Sequence, residues 1–521
     1  MYIRTLWHMR PSQIWFQIFY RVRKKIRKLT GFEYKTTIAR KGHNLKFDSW
    51  IEKRITYNEY IFEFLNQQYH MTNKIPWDET SFGRLWAYNL NYMDFLLQMD
   101  ITRDQGIELI KDFIQFFPNN NIAKESYTIS IRGINWIKFI SGYQIQEDYI
   151  DNSLFAQYMI LLDNIEYHLY GNHLIENAIS LLFAGYYFRM YKLYQIAKKI
   201  LFRELSEQVL SDGAHFEQSP MYHLIMLNSI LNGINLLRNN IVFKDQSELQ
   251  EFMSVKVAIM LGWINQICYR DGSIPLFNDS ANLVAPGLDQ INSYVKRLSL
   301  TETRISLGES GYRSINHDSY EMRLFIGNRT SSYITGHSHA DTFNFEIYLR
   351  NEPLIVDTGI STYEKNERRQ FERSTAAHNT VQVHHRDSSQ VWGGFRMARR
   401  ASVFNIFENE QTIEAMHNGY SSLGIIHKRT FRFDCDKIGI YDYLIGRSDA
   451  EGTARFHFHP KFRPEILNNE IHFQGGSVII TGANKITLSE YNYAPEYNKL
   501  ILASVVEVLF KNSYNWIISF S

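Results

Sequence analysis

Residues 336–381 read GHSHADTFNFEIYLRNEPLIVDTGISTYEKNERRQFERSTAAHNTV and set His337, His339, Asp341, Asp357, Arg373 and His378 among short β-type runs. From Phe343 to Leu349 apolar and polar residues alternate, the pattern of a half-buried strand. Leu354-Ile355-Val356 predicts a second strand that stops at the turn formers Asp357-Thr358-Gly359. The polar candidates therefore fall at strand ends. If residues 336–341 are extended, His337 and His339 project to the same side, because alternate residues of a strand share a face. Two imidazoles and one carboxylate suit tetrahedral zinc, and His339, Asp357 and His378 are the ligand candidates. Their spacing matches no short zinc motif, and hydrogen-bonded loop residues are the competing reading.

Moving outward from this stretch, residues 81–305 carry a different period. Leu85, Tyr88, Tyr92, Phe95 and Leu96 recur at three- and four-residue spacings, and similar runs lie near 104–117, 153–169, 173–192, 221–238 and 248–268. Short polar breaks such as Pro118-Asn119-Asn120-Asn121 suit antiparallel helical neighbours. Residues 306–521 read as strands, among them Lys437 to Leu444, Ser477 to Thr481 and Val505 to Phe510, with turns at Asn468-Asn469 and Gly475-Gly476. Helices followed by strands imply an α+β chain of several domains rather than a βαβ fold. Residues 1–80 read as a basic, amphipathic and helical lead-in.

A chain of 521 residues is too long for one core. Its 33 Tyr and 35 Phe argue for a well-packed interior with rings to spare for sugar faces. The formal net charge of +2 supplies no global field for nucleic acid, though an anionic polymer can still meet a local basic cleft. Cys268 and Cys435 make no disulfide framework. Near the start, Arg21, Arg23, Lys24, Lys25, Arg27 and Lys28 follow the apolar-aromatic run Ile14 to Tyr20. The run is too short to span a bilayer, and a signal peptide would place its charge first. A basic helix on an anionic membrane surface competes with a helix docked on the protein itself.

Two polar stretches interrupt the helical part. In Tyr170-Gly171-Asn172-His173-Leu174-Ile175-Glu176-Asn177, Gly171 reads as a helix end, Asn172 as an N-cap, and His173 and Glu176 share a face. In Asp212-Gly213-Ala214-His215-Phe216-Glu217-Gln218-Ser219-Pro220-Met221-Tyr222-His223 a polar loop enters a helix through Pro220, with Tyr222 in its first turn. Arg132, Arg368, Arg369 and Arg373 offer guanidinium forks for planar anions.

The runs GHSHADTFNFEIY, PLIVDTG and FERSTAAHNTV, with the NH and SPMYH segments, resemble the heparinase II/III family of polysaccharide lyases from Ser81 to Arg400. The resemblance implies an incomplete (α/α) toroid with a substrate cleft, followed by an antiparallel β-sandwich. It implies Asn172, His173, Tyr222 and His337 as catalytic residues and His339, Asp357 and His378 as ligands of a structural zinc. Glu176, Arg132 and Arg373 are the substrate-binding candidates. The implied activity is β-elimination on an acidic, uronic-acid-containing glycan, of heparin or heparan sulfate type by preference. Tyr222 as a base would need a depressed pKa. A hydrolase using Asp212 and Glu217, or a non-catalytic protein of capsule or exopolysaccharide synthesis, are the alternatives. With no signal peptide recognised, a cytoplasmic or peripheral inner-membrane placement is expected, the periplasm remaining open.

Overall fold

The computed structural model describes residues 5, 7–71, 74–468 and 470–521. Helix α1 (Pro11–Leu29) precedes a small antiparallel sheet, β1 (Tyr57–Asn58), β2 (Ile61–Phe64) and β3 (Gln67–His70). The lead-in is thus only partly helical, which corrects the sequence expectation. Ile61-Phe62-Glu63-Phe64 alternates, and Phe62 and Phe64 bury against Phe95 and Trp86.

The helical region continues with α2 (Arg84–Tyr92), α3 (Arg103–Phe116), α4 (Ser126–Gly142), α5 (Asp148–Asp163), α6 (Gly171–Tyr187), α7 (Tyr191–Gln208), α8 (Pro220–Asn239), α9 (Gln246–Ile267) and α10 (Leu288–Arg297). Alternate helices touch: α4 packs on α6, α6 on α8 and α8 on α10, while α7 packs on α9. This is an incomplete toroid of inner and outer helices. The inner helices α4, α6 and α8 are buried on nearly every side, so their buried residues encircle the helix rather than form one stripe, and they include polar ones such as Arg132, Asn177 and Asn232.

The second region starts with a four-stranded antiparallel sheet, β4 (Tyr312–Asn316), β5 (Tyr320–Phe325), β6 (Phe345–Leu349) and β7 (Glu352–Ile355). A short helix α11 (Glu367–Glu372) leads to β8 (Val381–Val383), and β9 (Val391–Trp392) pairs with β10 (Arg396–Met397). The large sheet runs through β11 (Val403–Asn409), β12 (Thr412–His417), β13 (Ile426–Phe433), β14 (Lys437–Ile445), β15 (Glu451–His457), β16 (Glu465–Leu467), β17 (Glu470–Phe473), β18 (Gly476–Glu496) and β19 (Lys499–Phe520). Its order is β11-β12-β13-β14-β19-β18-β17-β16, with β15 joining β19 to β8. Phe345 of the small sheet meets Phe431 and Phe456 of the large one, and Phe456 stacks on Trp516 at 3.5 Å. These rings make the core of a β-sandwich.

The expected strands near 477–481 and 505–510 are parts of one hairpin of 21 and 22 residues. Polar residues such as Asn512 (φ 60°) read as breaks in sequence, yet the strands absorb them as register shifts. Of the Asn468-Asn469 turn, Asn469 lies outside the described residues. Tyr312, Phe325, Ile360 and Tyr497 belong to the same core cluster as the toroid helices, so the two regions share an interior.

Candidate active site in the cleft between toroid and sandwich

A cleft of about 990 Å³ runs between the two regions, and Asn172, His173, Tyr222 and His337 all line it. Each sits where a chain segment changes state. Ser219 accepts a bond from the Tyr222 backbone N–H (3.2 Å) as the N-cap of α8, with Pro220 at the first helical position. Tyr222 thus leaves the first turn of α8 toward the cleft. Asn172 is not a cap: α6 begins at Gly171, and the Asn172 backbone N–H donates to Glu217 Oε1 (2.8 Å). Gly171 (φ +61°) permits that approach, because a Cβ there would stand 2.4 Å from Glu217 Oε1. The Asn172 amide also donates to both Glu217 oxygens at 3.1 Å.

His337 and His339 do not lie on a strand, but one carboxylate joins them. Asp279 Oδ2 is 2.8 Å from His337 Nδ1, and Asp279 Oδ1 is 2.8 Å from His339 Nε2. The backbone completes the seam: the Asp279 N–H donates to His337 O (3.0 Å), and the His339 N–H donates to Asn278 Oδ1 (3.1 Å). A helical-region loop is thereby zipped to a sandwich loop. Arg369 donates two bonds to Asp279 (2.6 and 2.7 Å), and both residues are buried. Although burial opposes its charge, Arg369 and the two imidazoles hold the Asp279 carboxyl well below its usual range.

The His337 ring lies flat on Tyr222, and its Nε2 is 3.4 Å from Glu217 Oε2. The Tyr222 hydroxyl is 3.1 Å from that of Tyr363. Burial pushes the Tyr222 phenol well above its ordinary pKa, against the sequence expectation of a depressed one. Tyr222 therefore rests protonated. His173 contacts the Tyr127 ring (4.6 Å) and bonds Glu166 (3.2 Å), not Glu176. Burial disfavours its charge, but the Glu166 carboxylate outweighs that and raises the His173 pKa. Its side chain keeps 37 % exposure, so the site presents a cation-forming imidazole to the cleft.

Three expected substrate contacts are not in the cleft wall. Arg132 is fully buried, donating to Gln157 Oε1, Asn91 O and Ala123 O, and so braces helices. Arg373 donates to Ser338 O, the carbonyl between the two histidines, and supports their loop from behind. Glu176 is 1 % exposed, accepts from Ser229 Oγ (2.6 Å), and burial pushes its pKa up to about 7. Arg369 is committed to Asp279 and Arg368 to Glu372, so neither is an open anion fork. The hydrolase pair also separates: Asp212 accepts from Gly308 N–H and from Ser310 N–H and Oγ–H, and does not line the cleft.

Sequence reasoning passed over Asp279, Glu166, Tyr363 and Tyr497, and named Glu217 only in the hydrolase alternative. One signal was readable. Asn278-Asp279-Ser280 places three polar residues directly after the apolar Leu276-Phe277 with no turn glycine, and all three are buried.

For zinc, the donors tell a divided story. His339 Nδ1 and His378 Nε2 are buried without hydrogen-bond partners, and the two rings are 5.3 Å apart. Asp357 is already engaged, accepting from Asn344 Nδ2 (2.6 Å) and Gly359 N–H (3.0 Å), with Oδ2 2.7 Å from His378 Nδ1. Among the described residues no three His, Cys, Asp or Glu side chains are spaced as a metal cluster. Two nitrogens are ready and the carboxylate is not.

The family description for the heparinase II/III N-terminus matches residues 12–302, and that for the heparinase II/III-like C-terminal region matches residues 300–512. The chain belongs to the heparinase II/III family. Family relatives include a heparin-sulfate lyase of Bacteroides stercoris, 24 % identical over 58 % of this chain and 47 % of the relative. Another, from Bacteroides thetaiotaomicron, is 25 % identical over 58 % of this chain and 48 % of its own length. The chain spans about half the length of these curated relatives. A heparinase III structure superposes with TM-score 0.64 at 16 % identity over 87 % of this chain and 80 % of its own. A Pedobacter heparinus heparan sulfate lyase gives TM-score 0.57 at 16 % identity over 92 % and 86 %. At such identities the superpositions establish the family's toroid and sandwich as the fold.

Proposed function

We propose that this protein is a polysaccharide lyase that cleaves an acidic, uronic-acid-containing glycan by β-elimination, with heparan sulfate-type polymers preferred. The observation that carries the reading is the stack of His337 on Tyr222 (3.8 Å) in a cleft also lined by Asn172 and His173. In β-elimination a base takes the C5 proton of the uronate, its electrons form the C4–C5 double bond, and the C4 oxygen leaves with a proton from an acid. The uronate carboxylate opposes the anion that develops, so it must be neutralised. His173, charged through Glu166, is suited to that task, and the Asn172 amide can join it by giving up one of its bonds to Glu217; one such preorganised donor is typically worth about 100-fold to 1000-fold in rate.

Tyr222 rests protonated and can serve as the acid directly; it serves as the base only if a cationic side chain moves close enough to lower its pKa, since an acidic substrate would raise it. Asp279 orients His337 through Nδ1, leaving Nε2 toward Glu217 and the cleft. The aromatic walls, Tyr88, Tyr92 and Tyr363, suit sugar faces. The wall charges are mixed, with Lys53, Arg54, Arg396 and Arg400 beside Glu63, Glu125, Glu166 and Glu496. That balance favours a chain charged mainly by carboxylates over a densely sulfated one. Zinc belongs to the proposal only as a structural ion: His339 and His378 would hold it with Asp357, once that carboxylate gave up His378, and its charge would fix the loop behind His337.

The test is incubation of the full chain with heparan sulfate, heparin, hyaluronan, chondroitin, alginate and a neutral glycan, while following the near-ultraviolet absorbance of an unsaturated uronate. Absorbance should rise with an acidic polymer, heparan sulfate first. Products without the double bond, or cleavage of the neutral glycan alone, would overturn the reading.

A further inference from the structure

Helix α1 is mounted inside out. A surface helix of a soluble protein turns its apolar stripe to the core and its charges to water. Here the inward side is mostly polar, with Phe16 stacked on Tyr167 as its apolar contact. Arg23 and Arg27 pair with Asp163, Arg23 donates to Asn164 Oδ1 (2.6 Å), and the Tyr20 hydroxyl donates to Ile165 O (2.6 Å). Just before the helix, Arg10 pairs with Glu207. The apolar residues point the other way: Trp15 is 65 % exposed, Ile18 53 %, Val22 49 %, Ile26 54 % and Leu29 87 %. With Ile14 and Phe19 they fill an outward arc of roughly 140° at 3.6 residues per turn. Trp7, 86 % exposed, stands directly before the helix.

We propose that this outward face of α1 docks on an anionic lipid bilayer. Arg21, Lys24 and Lys28 are exposed along one edge of the stripe, Lys25 is exposed just inside that edge, and none of the four has an ion-pair partner among the described residues. Apolar side chains including tryptophan, bordered by long flexible cations, match acyl chains overlaid by phosphate headgroups. A second copy of this chain fits less well, because it would bring the same cationic edge against itself. Among the described residues no helix is long and apolar enough to cross a membrane, so the contact is with the surface. Gln13, Gln17 and Arg21 of the same helix also line the cleft. Docking would therefore hold the cleft about one helix diameter, ~10 Å, from the lipid.

The experiment is co-sedimentation of the full chain with phosphatidylcholine vesicles, with and without a minority of phosphatidylglycerol. Binding should be strong with the anionic lipid, weaker without it and weaker at high salt. An Ile18→Glu/Val22→Glu variant and a Lys24→Glu/Lys25→Glu/Lys28→Glu variant should each lose about tenfold or more in affinity while keeping the melting temperature, since these side chains face solvent. Absence of binding to either vesicle, or variants that bind as well as the parent, would overturn the proposal. A lipid-free dimer that Ile18→Glu dissociates would also overturn it, by showing that a second copy covers the face.

Discussion

The imidazole of His337 lies against the phenol ring of Tyr222 with centroids 3.8 Å apart and planes inclined by 29°. Two candidate proton-transfer groups thus occupy one spot, although 115 positions separate them in the chain by subtraction of their numbers. Replacing Tyr222 by Phe keeps the ring contact and removes the hydroxyl. Activity should fall by roughly 100-fold to 10,000-fold, the usual worth of a positioned acid or base. His337→Gln should cost a similar factor, and the double variant much less than the product of the two, because the groups act as a unit. Unchanged turnover in Tyr222→Phe, with the fold intact by circular dichroism, would remove Tyr222 from the chemistry.

The pairing of His173 with Glu166 gives a pH prediction. Burial alone would lower the His173 pKa, and Glu166 raises it, so charge on His173 is present at low pH and lost as pH rises through the raised value. In Glu166→Gln the raising influence is gone. The alkaline limb of the kcat/KM profile should move to lower pH, with the change appearing in kcat as well, because His173 is assigned to charge that develops in the transition state. A profile that does not move would separate His173 from substrate binding.

Asp279 is the seam between the two regions. Asp279→Ala would leave Arg369 charged and buried without its partner, an arrangement that typically costs about 3–5 kcal/mol. Urea unfolding should show that loss, with Asp279→Asn less affected. Because the Asp279 carboxyl is held well below its usual range, its contribution is complete above the ordinary carboxylate pKa. It is lost as pH falls through the depressed folded value, so the parent should gain on the variant as pH rises from strongly acidic toward neutral.

Zinc at His339, His378 and Asp357 is checked by metal analysis of protein purified without added metal. The expected result is about one zinc per chain, reduced in His378→Ala, with a lowered melting temperature after chelation. Metal-free protein with an unaltered melting temperature would leave the two orphaned imidazole nitrogens to water.

What the sequence by itself determined is whatever is local. Period and turn chemistry located the helices between Arg84 and Arg297 and the strands around Phe345 and Leu354, because a side-chain face repeats every 3.6 or every two residues whatever the surroundings. The motifs also marked Asn172, His173, Tyr222 and His337, each at a break in that periodicity. Only the tertiary structure decided which polar residues share a space. Arg132, Arg373 and Glu176 have the right chemistry for a uronate, yet burial commits them to carbonyls and a hydroxyl in the interior. Asp279, unmarked by any period, becomes the hub of two histidines and an arginine because a helical-region loop and a sandwich loop pair along their backbones. The direction of the Tyr222 pKa was likewise beyond reach, since residue type fixes the reference value and only packing fixes how much water remains around the phenol.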